Sequence, residues 1–144
     1  MEEYDKDLYF VAIKVFLRDG NKLLIIHDIF GDWDLPGGRI KKDEFNTSLE
    51  LVLNRKMKEE IGEEVEYGEP KQNGIFFRVE RLEYGINQNV RIFAVGYDAE
   101  YKGGEVTLGK HISDFKWVDI NNFNPKEYFR GGWLRGVEDY LISK

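Results

Sequence analysis

Apolar positions along the chain change their spacing several times, and each change predicts an element. Residues 8–17, LYFVAIKVFL, are almost continuously apolar, β-branched or aromatic, which predicts a mostly buried strand. Arg18-Asp19-Gly20-Asn21 is a turn signal, and residues 22–27, KLLIIH, read as the returning strand of a hairpin. Residues 29–32 form a loop, and residues 33–36 lead into a glycine bend, where Pro36 biases Leu35 towards an extended conformation. The spacing then becomes helical. Leu49, Val52, Leu53, Met57 and Ile61 recur at three and four, so they predict one apolar stripe, capped by Thr47 or Ser48 and stopped by Gly62.

Beyond the helix, residues 63–70 form an acidic connection that reads as a solvated face. Residues 74–82 alternate apolar and charged after Phe77, and residues 90–99 can pair with them across a loop at 83–89. Residues 101–104 read as a turn, residues 114–118 as a last strand, and 119–125 as a connection to a C-terminal helix. In that helix Tyr128, Trp133, Leu134, Val137, Tyr140 and Leu141 recur at helical spacing, with Gly131-Gly132 placed to kink or delay it. The order of hairpin, strand, helix, strands and helix predicts a mixed sheet between helices.

Composition narrows the class. A chain of 144 residues suits one domain, taken as 1–144, and 42% hydrophobic residues supply a packed interior without staples. Cysteine is absent, which excludes disulfides, thiolate metal sites and a Cys nucleophile. No basic start precedes an apolar core of signal-peptide length, and no run approaches the roughly 18 apolar residues of a membrane span. A cytoplasmic protein away from membranes is the expectation. The net charge of −6 would repel a polyanionic backbone, so nucleic acid is not an expected partner. A small phosphorylated substrate is compatible, because a divalent cation can bridge acidic side chains to phosphate oxygens.

The candidate chemistry is concentrated between the glycine bend and the end of the first helix. Gly38 is followed after five residues by Glu44, and Arg55, Met57, Glu59, Glu60 and Gly62 complete the set. Residues four apart share a helix face, so Arg55 should meet Glu59 and Lys56 should meet Glu60. This arrangement resembles the box of the MutT-like Nudix hydrolases: Gly, five residues, Glu, seven residues, then Arg-Glu-apolar-x-Glu-Glu-x-Gly. Two departures stand out. Ten residues separate Glu44 from Arg55, and Lys56 stands where a Glu follows the Arg. Counting back from Arg55 puts Thr47 at the first Glu. Three extra residues within the helix would rotate its stripe by about 300°, which assigns them to the preceding loop.

The resemblance implies an α/β (α+β) fold, the Nudix α/β/α sandwich with a mixed sheet. It implies hydrolysis of a nucleoside diphosphate linked to another moiety by cleavage of a phosphoanhydride, with Mg²⁺ or Mn²⁺ as cofactor. Glu60 and the Gly38 carbonyl would be metal ligands, with Glu44 contributing through the loop and Glu59 and a later acid such as Glu105 sharing the work. Arg55 would pair with Glu59 to hold the helix face. His111, just before Phe115-Lys116-Trp117-Val118, resembles a basic residue of GDP-mannose mannosyl hydrolases, relatives whose box also lacks glutamates, so Arg55, Glu59, Glu60 and His111 form the catalytic set.

Lys56 replaces a carboxylate by a cation and disfavours a crowded metal cluster. Three readings are open: a hydrolase with fewer metals, a nucleotide-sugar glycosyl hydrolase, and a module that binds a nucleotide or protein. The partner is a small nucleotide or nucleotide sugar, and apolar residues could also serve a homodimer face. Aromatic candidates for a base platform are Phe76, Phe77, Tyr84, Phe129 and Trp133. Trp33 reads as an anchor of its loop, and His27 as a structural or surface residue.

Overall fold

The computed structural model describes residues 5–143. Eight strands, β1 (Phe10–Asp19), β2 (Lys22–Asp28), β3 (Trp33–Asp34), β4 (Gly37–Arg39), β5 (Glu66–Tyr67), β6 (Lys71–Glu83), β7 (Gln88–Gly103) and β8 (Ile112–Asp119), join in one sheet. Helix α1 (Leu49–Ile61) lies between β4 and β5, and α2 (Gly131–Ile142) closes the described chain. The sheet is mixed: β1 runs parallel to β7, and the other pairings are antiparallel.

β1 and β2 are buried on both faces, which explains their nearly unbroken apolar sequences. Period two divides them cleanly. Ala12, Phe16, Leu23 and Ile25 join the core beneath α2, and Ile13, Val15, Leu17, Leu24 and Ile26 join the core beneath α1. The helices therefore cover opposite faces, and the expected α/β/α sandwich is observed. On α1, Val52, Leu53, Met57 and Ile61 are buried, each contributing about 1.5–3 kcal/mol by leaving water. Leu49, expected on the same stripe, is instead exposed, because it is the first residue after the cap. Ser48 is that cap: its Oγ accepts from the Leu51 amide at 3.2 Å.

Several boundaries move. The expected hairpin exists only near its turn, where Arg18 faces Leu23 and Asp19 faces Lys22; beyond that, β1 continues along β7 and β2 along β8. The acidic connection contains β5, and Val65 in it is buried. The turn expected at 101–104 is strand, since β7 runs on to Gly103 while pairing with β5. The delay at the glycine pair is real: α2 starts at Gly131, and Tyr128 lies outside it. Among the described residues no helix is long and apolar enough to cross a membrane.

Candidate functional site

The split between β1 and β2 creates the site. β3 pairs with β2 at Ile26 and His27, whereas β4 pairs with β1 from Ala12 to Lys14, so the segment carrying Leu35-Pro36 crosses the gap. A cavity of about 340 Å³ opens there, lined by Lys14, Asp34, Gly38, Lys56, Glu60 and His111 among others.

Gly37 is fixed by sterics. Its φ is +135°, and a Cβ would lie 2.0 Å from the Ile13 carbonyl oxygen, so only glycine lets β4 approach β1 this closely. The ladder between these strands sets which way each glycine faces. Val15 N donates to Pro36 O and Ile40 N to Val11 O, and antiparallel alternation makes Ile13 and Gly38 the hydrogen-bonded pair between them. Gly37 is left facing away from β1. Its amide donates to Glu60 Oε1 at 3.0 Å, which ties the end of α1 to the bend.

Glu60 is held in a guarded position. Burial pushes its carboxyl up to about 7; Asp34 adds to the rise, while Lys14, Lys56 and the Gly37 amide oppose it. Lys14 is buried with Asp34, Nζ to Oδ2 at 2.9 Å, and its ammonium stands 4.9 Å from the Trp133 ring centroid. Lys56 lies across Gly38, where a Cβ would meet its Cε at 2.0 Å. Its ammonium pairs with Glu59 at 3.2 Å, not with Glu60 as helix spacing suggested.

Arg55 is the hub of a second cluster. It reaches Glu44 through Nε to Oε2 at 2.6 Å and Nη2 to Oε1 at 2.7 Å, and Glu59 through Nη1 to Oε1 at 2.9 Å. Glu44 Oε1 also accepts from the Lys41 amide at 2.8 Å. Arg55 and then that amide hold the Glu44 carboxyl below its ordinary range. For Glu59, burial works upward, but Arg55 and Lys56 prevail and lower it. Glu44 belongs to the turn Lys42–Glu44, and the longer loop to the helix still delivers it to Arg55.

Both oxygens of Glu44 and of Glu59 are thus engaged by protein cations. Among the described residues no three His, Cys, Asp or Glu side chains assemble as a ready metal cage. The donor chemistry fits one hard cation: an acid that resists ionisation, beside a bend whose Gly37 carbonyl turns away from the β1 ladder. It does not fit a cluster of cations while Lys56 lies over Gly38.

A family model described as NUDIX domain matches residues 8–135. The chain belongs to the NUDIX domain family. It is a Nudix hydrolase, of a family that acts on nucleoside diphosphate derivatives. Solved structures share its fold. A MutT protein from Methanosarcina mazei Go1 superposes with a TM-score of 0.71 at 20% identity, covering 98% of this chain and 95% of its own. A MutT NUDIX hydrolase from Burkholderia pseudomallei gives 0.67 at 16%, over 92% and 98%. An ADP-ribose pyrophosphatase from Streptococcus suis 89-1591 gives 0.64 at 17%, over 94% and 92%. No curated protein sequence matches the chain.

Within this Nudix fold, Gly38, Lys56, Glu60 and His111 line the cavity, and Glu44, Arg55 and Glu59 form the cluster beside it. Glu105 is exposed and does not line the cavity. His27 bonds Ser113 Oγ at 2.8 Å away from it, and Trp33 packs edge-on against Tyr128 as a loop anchor. Of the aromatic candidates, Phe77 and Phe129 are core and Phe76 lies elsewhere; Trp133 roofs Lys14, and Tyr84 is at the cavity. Lys14 and Asp34 lie outside the motif that marks the site in the sequence, although a lone Lys inside a strand buried on both faces is itself a signal, since buried charges are paired or functional.

Proposed function

We propose that this Nudix hydrolase cleaves the phosphoanhydride of a nucleoside diphosphate linked to another moiety, with one Mg²⁺ or Mn²⁺ held by Glu60 and the Gly37 carbonyl of the glycine bend. The observation that carries the reading is Glu60 itself. Its carboxyl is tied by one oxygen to Gly37, is short of compensating charge and lines the cavity, so a divalent cation there relieves the cost of its ionisation. When bound, such a cation draws charge from phosphoryl oxygens and lowers the pKa of a bound water.

The chain's own residues supply the rest. Lys14, fixed by Asp34 and Trp133, and Lys56, lying across Gly38, put two ammonium groups on the cavity wall where phosphoryl charge must be neutralised. Lys56 takes the place of a further cation. Arg55 positions α1 through Glu44 and Glu59 rather than touching substrate. Glu59 becomes an additional ligand or base once Lys56 releases it, and the whole chain acts as one domain.

His111 supports a second reading, because it too lines the cavity and could serve attack at a sugar carbon of a nucleotide sugar. The test is product identity with Mg²⁺ or Mn²⁺ and a panel of nucleoside triphosphates, ADP-ribose, dinucleotides and nucleotide sugars. Anhydride cleavage releases nucleoside monophosphate and survives His111→Ala. Free sugar with nucleoside diphosphate, lost in His111→Ala, would favour the second reading.

A further inference from the structure

Two half-exposed aromatic rings meet at the cavity. Phe30 belongs to the loop after β2 and Tyr84 to the turn after β6; they are 45% and 54% exposed, and both line the cavity. Their rings stack at 4.5 Å between centroids with planes 11° apart. Apolar ring faces left in water gain by covering each other, so the pair explains its own collapse. The scaffold beneath each ring goes further. Asp28 is buried, and its Oδ1 accepts from the Phe30 amide at 2.9 Å and the Asp32 amide at 3.0 Å, fixing the first loop. Arg81 lies 3.9 Å from Asp28 and stands over the Phe30 ring. At the second loop, Glu83 beside Tyr84 pairs with Arg39 at 2.8 Å, one residue from Gly38.

We infer that Phe30 and Tyr84 form a nucleobase sandwich for the substrate, closed on itself until the rings part to admit a planar base. The inference rests on the nucleotide-hydrolase reading and assigns the base-recognition part of that same site. The rings are already parallel, so separation by about one aromatic thickness, roughly 3.5 Å, suffices. Both loops end on ion pairs at the cavity wall, which places the base beside the charged groups that face phosphate. Stacking accepts any base, so this subsite selects for a nucleoside over a non-aromatic group rather than for one base.

Calorimetry on the whole protein with Mg²⁺ tests the sandwich, using methylene-bridged analogues of ADP, GDP, CDP and UDP, and methylenediphosphonate as the baseless control. For the tightest analogue, Phe30→Ala and Tyr84→Ala should each weaken binding about tenfold or more, while diphosphonate binding stays unchanged. Phe30→Tyr and Tyr84→Phe should restore the analogue's affinity, which a loss of folding would not allow. Unchanged affinity, loss in only one of the two alanine variants, or a parallel loss for diphosphonate overturns the sandwich. If the unmodified protein binds no analogue more tightly than diphosphonate yet releases nucleoside monophosphate in the product assay, the sandwich fails and the hydrolase reading stands. If it neither binds the analogues nor turns over any nucleotide, both fall.

Discussion

Replacing Glu60 by Gln should stabilise this protein at alkaline pH while removing its activity. Glu60 titrates at about 7 in the folded chain against an ordinary 4.5. The folded state therefore holds a proton that the unfolded state has lost, and stability falls as pH rises between those values. The displacement of about 2.5 units corresponds to about 3 kcal/mol at 1.36 kcal/mol per unit. Partial solvent access to the residue lowers the expectation to about 1–3 kcal/mol. Gln retains an acceptor for the Gly37 amide and has no charge to desolvate. Urea unfolding in EDTA at pH 5 and pH 8 measures the effect. The two proteins should differ little at pH 5, and Glu60→Gln should be the more stable at pH 8. Equal stability at pH 8, or the same difference at both values, would refute the claim that Glu60 bears an uncompensated buried charge.

Other outcomes rest on the same geometry. Lys56→Glu should raise Mn²⁺ stoichiometry and affinity in calorimetry, because it removes the ammonium over Gly38 and frees Glu59; unchanged metal binding would show that Lys56 does not limit the site. Glu44→Gln should lose stability at neutral pH and flatten the acid limb of the thermal unfolding profile. Its carboxyl is held low by Arg55, so that contribution is present above 4.5 and lost as pH falls. Gly136→Ala should cost about 1–3 kcal/mol in urea unfolding, since its Cβ would lie 2.4 Å from the Phe77 ring, and should leave turnover at 25 °C unaffected.

The α/β/α layering and the first helix are legible because each leaves a periodic trace. β1 and β2 show two buried faces as continuous apolar runs, and α1 shows its stripe, its Ser48 cap and its Gly62 stop. The Arg55–Glu59 pair came from helix geometry alone. Other features depend on distant partners. The Lys56 ammonium turned to Glu59 because its stem lies across Gly38, a contact that helix spacing does not contain. Lys14 acquires its meaning from Asp34, Trp133 and Glu60, which three other elements deliver. Phe30 sits in an unremarkable loop, and nothing local pairs it with Tyr84, 54 positions later. The long extent of β7 was hidden because Tyr101-Lys102-Gly103-Gly104 reads as a turn until β5 lies beside it.

Hydrolysis in ¹⁸O-labelled water with Mg²⁺, using ADP-ribose and nucleotide sugars, decides whether Glu60 serves cleavage of a phosphoanhydride. Nucleoside monophosphate should appear as a product with label on a phosphate product, and both should be lost in Glu60→Gln. Label in a free sugar, or undiminished label transfer in Glu60→Gln, would contradict that role.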